Sequence, residues 1–199
     1  MKNQYNKVSV GILVAFEIYL GVLEILYITS GQWPIFILTF MVMLSLTLPW
    51  IVTWAAKRIK VDLPSSFQII TFAFIVLAQY LGELKGFYQL FWWWDLLLHT
   101  IFGSYAVVVA LQLINGTLTK HRKVTIKRYK LGKSIFAFSI AIALGTLWEL
   151  FEFAGDYFFK TNMIKGGLED TITDLLVKTG AAFITATLYF WLFHKDLDY

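Results

Sequence analysis

The sequence predicts an all-α, polytopic membrane bundle of about six transmembrane helices, with both termini on the inside. Three observations carry that expectation. The 199 residues are 58% hydrophobic and only 15% charged, whereas soluble domains carry about 25% charged residues. The apolar residues gather into six long, continuous stretches, without the alternation that marks barrel strands. The basic residues concentrate in every second connection between those stretches, the asymmetry that orients membrane helices.

The stretches run roughly Val8–Thr29, Trp33–Ala56, Ser66–Gly82, Asp95–Asn115, Ser134–Phe158 and Thr171–Phe193. Crossing about 30 Å of hydrocarbon takes about 20 apolar residues, and most of the six are that long. The third is the shortest; the fourth and sixth begin with a polar turn. The first is too long for a signal peptide and contains Glu17 and Glu24. With the N-terminus inside, thirteen of the 17 Lys and Arg fall on the inner side, seven of them in the run "KHRKVTIKRYKLGK". Only Lys85, Lys160 and Lys165 fall outside, and Lys178 lies within a stretch. Trp92, Trp93 and Trp94 then sit at the outer interface, where aromatic belts form. The basic run reads as a topology-setting loop that touches anionic lipid heads, which excludes a nucleic-acid surface. The absence of Cys removes disulfides and thiolate chemistry. The expected organisation is one integral membrane domain over residues 1–199, with the polar motifs in roughly 88–192.

Those motifs raise the functional question. "TLWELFEFAGD" places Glu149, Glu152 and Asp156 at i, i+3 and i+7, on one face of a greasy helix. Asp156 belongs at the outer interface, with Glu152 about 6 Å and Glu149 about 10 Å below it. "DLLLH" opens the fourth stretch with Asp95 and His99 one turn apart. "EDTITDLLVK" opens the sixth with Asp170, Asp174 and Lys178 on one face. All three stripes share a depth in the outer leaflet. Charge facing lipid is costly, so they should face one another.

Six carboxylates cannot all stay ionised in a partly dry pocket unless protons are shared or a cation is present. A divalent metal is the natural neutraliser, and an oxygen-rich set with one imidazole suits Mg, Mn, Fe or Zn. The candidate ligands are Asp95, His99, Glu149, Glu152, Asp170 and Asp174. The candidate catalytic groups are Glu149, Glu152 and His99. Blander roles stand beside these: Asp95, Glu169 or Asp170 as helix caps, and Asp174 with Lys178 as a structural pair. Glu24, Gln79, Tyr80 and Glu83 reach the same level and rank as supporting residues, with Glu17 nearer mid-membrane.

The arrangement resembles the YjdF-like family of uncharacterised bacterial inner-membrane proteins. The resemblance covers roughly residues 88–192 and rests on "DLLLH" at Asp95–His99, "WELFEF" at Trp148–Phe153, and "DTITD" at Asp170–Asp174 followed by Gly180 and Ala181. More distantly it is similar to the VanZ-like group. Leu96 stands where the family has a basic residue, and Gly166, Gly167, Leu168 and Glu169 replace a Gly-Asp-Pro-Trp. The resemblance implies a multi-pass protein of the bacterial cytoplasmic (inner) membrane and supplies no reaction.

Three functions compete. In the first, an enzyme uses the carboxylate and His site on a lipid or lipid-linked substrate entering sideways from the bilayer. In the second, a small transporter binds ions or relays protons; there Glu17 should matter as much as Glu149. In the third, a satisfied polar network only fixes helix packing, and amide replacements destabilise the protein.

Overall fold

The computed structural model describes residues 7–117, 124–160, 163–164 and 166–192. Among these every regular element is a helix, and six helices are long and apolar enough to cross a membrane. The backbone contacts divide at Trp94 into two compact units, Met1–Trp94 and Asp95–Tyr199.

The first unit holds α1 (Lys7–Thr29), α2 (Trp33–Arg58), α3 (Phe67–Ile75, continuing as a π-helical segment Val76–Leu84) and the short α4 (Phe87–Leu90). Three local devices turn α1 into α2. The Thr29 and Ser30 hydroxyls donate to the carbonyls of Ile25 and Leu26 at 2.9 and 2.7 Å, satisfying acceptors that the helix end leaves open. Gly31 takes a left-handed φ of 71°. Pro34 then opens α2, where its missing N–H costs nothing. Leu20, Val42, Leu46, Phe72 and Ile75 form the core, with Phe16, Trp50 and Tyr80 packed on it. Glu17 and Glu24 belong to this unit and are half-buried.

The second unit is built from α5 (Trp94–Thr117), α6 (Ile126–Ala154, continuing as a π-helical turn Gly155–Phe159) and α7 (Leu168–Leu192). Its core is mostly small: Ala106, Ala110, Ala137, Ala141, Ala182 and Ala186 surround Val107, Leu111 and Ile114. Lipid tails are as apolar as leucine, so helices in a bilayer associate through close backbone packing, which small residues permit. Larger side chains such as Leu147, Leu150, Phe151, Leu176 and Phe183 point outward.

Helix α6 begins at Ile126, eight residues before the expected start at Ser134. Half of the presumed basic loop is therefore helix. The Thr125 hydroxyl caps it, accepting from the Arg128 N–H at 3.4 Å. Lys130 and Lys133 are buried, not solvated. Lys127 and Arg128 of that run are exposed, and Lys120, Arg122 and Lys123 lie outside the described residues.

Candidate metal centre

The second unit carries the polar motifs: α5 and α7 build one group, and α6 and α7 a buried ion pair. Asp95 is the second residue of α5, so its carboxylate lies in the first turn, at the positive end of the helix dipole. One turn on, His99 is almost fully buried. Its Nε2 lies 3.2 Å from Asp95 Oδ1 and 3.2 Å from Asp174 Oδ2 of α7. Two carboxylate oxygens therefore approach a single imidazole nitrogen. A protonated Nε2 has only one hydrogen to donate. These three atoms all lie within 4.8 Å of one another, the spacing of a ligand set.

A second pair sits beside the first. Lys178, one turn beyond Asp174 on α7, is ion-paired with Glu149 of α6. Their side chains are only 4% and 5% exposed, so this pair is held away from solvent and salt. Glu149 Oε2 is buried and has no hydrogen-bond partner among the described residues. The two pairs are close enough for the Lys178 charge to act on His99.

One glycine makes the arrangement possible and a second lines it. A Cβ at Gly103 of α5 would lie 2.5 Å from the Lys178 carbonyl oxygen, so α7 approaches α5 at the one residue type that allows it. A Cβ at Gly145 of α6 would lie 3.4 Å from Lys178 Cδ and 4.0 Å from Cε. The lysine stem thus crosses α6 at a glycine, one turn before the glutamate it meets.

The remaining expected residues divide. Glu152 is half-buried and accepts a 2.8 Å hydrogen bond from Trp148 Nε1, one turn back on its own helix. It still lies within electrostatic reach of Glu149, His99 and Lys178. Asp156 lies just beyond the α-helical part of the stripe. It sits in the π-helical turn, where its two oxygens accept from the backbone N–H groups of Met163 and Ile164 at 2.6 and 2.8 Å. Asp170 lies in the first turn of α7, with Gly166 packed closely on it. Among the described residues, Glu149, Glu152 and Asp170 add no atom to the Asp95, His99 and Asp174 group. The sequence offered Lys178 a partner on its own helix in Asp174, but the observed partners are on neighbouring helices. The Trp148–Glu152 bond was missed, although its i, i+4 spacing was there to be read.

An uncharacterized protein of Thermotoga maritima is 27% identical to the chain over 115 residues, 58% of this chain and 57% of the relative. The match therefore spans little more than half the length of that protein. No solved structure matches the chain. A family model described as "Predicted membrane protein (DUF2238)" matches residues 8–196, which accords with the YjdF-like resemblance. With all but a few terminal residues inside that match, and six apolar spanning helices in place, the chain belongs to the DUF2238 family of predicted membrane proteins.

Proposed function

We propose that this protein holds a divalent cation at Asp95, His99 and Asp174 and is an enzyme acting on a lipid or lipid-linked substrate. Its place is the bacterial cytoplasmic (inner) membrane, with both termini inside and the site in the outer leaflet. A distant VanZ-like kinship belongs to the same reading.

One observation carries the cation: His99 Nε2 stands 3.2 Å from a carboxylate oxygen on each side. Metal–ligand bonds of about 2.0–2.2 Å place neighbouring ligand atoms about 2.8–3.6 Å apart across octahedral and tetrahedral spheres. The observed spacing fits that range. One imidazole with two carboxylates suits Mg, Mn, Fe or Zn. Bound there, such an ion supplies Lewis-acid charge to a substrate oxygen.

The chain's own residues then divide the remaining work. Lys178 neutralises Glu149 Oε1 and leaves Oε2 to accept a proton or orient a hydroxyl. Glu152, fixed by Trp148, is a second base within electrostatic reach. Leu147, Leu150 and Phe151 are exposed beside these two acids on α6, which suits a substrate that arrives through the lipid.

A second reading is favoured by the buried Lys178–Glu149 pair, which by itself locks α6 to α7 as a packing device.

Elemental analysis of the detergent-purified protein, after loading with Mg, Mn, Fe and Zn, separates the two. We expect a stoichiometric metal in the parent and at least a tenfold loss in folded His99→Ala and Asp174→Asn proteins. A parent that takes up none of the four ions overturns the cation reading and leaves the packing network.

A further inference from the structure

We propose that the centre takes one divalent cation and not two, because the Lys178 ammonium occupies the place of the second. This rests on the cation reading above.

Helix bundles that gather several carboxylates and imidazole at one level commonly build two-metal centres, with the ions about 3.5–4 Å apart. Here Glu149 is buried in the same helix trio as the Asp95, His99 and Asp174 group, yet its positive partner is an amine. Both glycine contacts serve that amine. Gly103 lets the Lys178 backbone come up against α5, and the Lys178 stem passes Gly145 of α6 at ordinary contact distance. Asp174 and Lys178 share one face of α7, a turn apart, so one helix supplies a ligand for the first cation and the substitute for the second. Glu149 Oε2, buried and unpartnered among the described residues, is the oxygen that a second ion would take if the amine were gone. Glu152 stands within electrostatic reach as its companion. The ligand class is a hard divalent cation bound through carboxylate oxygen.

The test is the Mn2+ count and electron paramagnetic resonance spectrum of the full chain in detergent with excess Mn2+. We expect one ion per parent chain, with the six-line spectrum of an isolated Mn2+. Lys178→Met should bind two, with a spin-coupled spectrum, and Lys178→Met with Glu149→Gln should return to one. Two ions in the parent overturn this proposal alone, as does a folded Lys178→Met protein that stays at one. No ion in the parent overturns the cation reading and this proposal with it. Should Lys178→Met not fold, the parent decides: one isolated ion sustains the proposal and a coupled pair ends it.

Discussion

Gly103 shows how much of this centre depends on what a residue lacks. Any side chain there begins with a Cβ 2.5 Å from the Lys178 carbonyl oxygen, closer than such atoms pack, so α5 and α7 must part. Gly103→Ala is expected to cost about 1–3 kcal/mol through overpacking, read as a lowered midpoint of thermal unfolding in detergent. Gly145→Ala is the control, because its Cβ meets Lys178 Cδ at an ordinary 3.4 Å. An equal loss in both proteins would show that the close approach at Gly103 is not what matters. Spacing within "EDTITDLLVK" and "DLLLH" revealed which acids, His and Lys share a helix face. It could not reveal that Asp174 meets His99 while Lys178 meets Glu149. Those pairings depend on how the helices approach, as α7 does α5 at Gly103, and that acts between helices, beyond the reach of a periodicity.

At the scale of elements, the expected stripe of Glu149, Glu152 and Asp156 assumed 3.6 residues per turn throughout. The helix widens to a π-helical turn from Gly155, which changes the angular step at Asp156, the last of the three. There it clamps the chain leaving α6 through two backbone N–H groups. Hydrogen bonds to a charged group contribute about 1.5–3 kcal/mol, so Asp156→Ala should lower the unfolding midpoint while the metal stoichiometry stays at the parent value. A loss of metal with unchanged stability would instead add Asp156 to the ligand set. The start of α6 was legible in part: Thr125 is a good N-cap residue, but the dense Lys and Arg around it hid the signal. Buried Lys130 and Lys133 put cations on an inward face, where hydropathy alone assigns a loop.

For the whole molecule, the number of spans was the most legible feature, because length and apolarity are properties of each helix alone. The division into two units at Trp94 was not legible, since it follows from which helices pack together. Orientation is open to a direct test, helped by the absence of native cysteine. Single reporters at exposed positions, Ile59→Cys and Trp92→Cys, flank the third span on either side. In intact cells a membrane-impermeant maleimide should label the Trp92→Cys protein and spare the Ile59→Cys protein. The reverse pattern overturns the proposed inside placement of both termini and moves the Asp95, His99 and Asp174 group to the cytoplasmic leaflet.

Helix α7 meets α5 through Asp174 and His99, and α6 through Lys178 and Glu149. It is also the last of the described helices to leave the ribosome. During synthesis α5 and α6 therefore reach the membrane before His99 has Asp174 and before Glu149 has Lys178. Until α7 arrives, those helices carry polar groups that lipid penalises, and a chain stalled before residue 168 is marked as unfinished by its own chemistry. The residues that build the centre thus also time its assembly: the last helix brings one acid and one base, and closes both pairs in a single insertion.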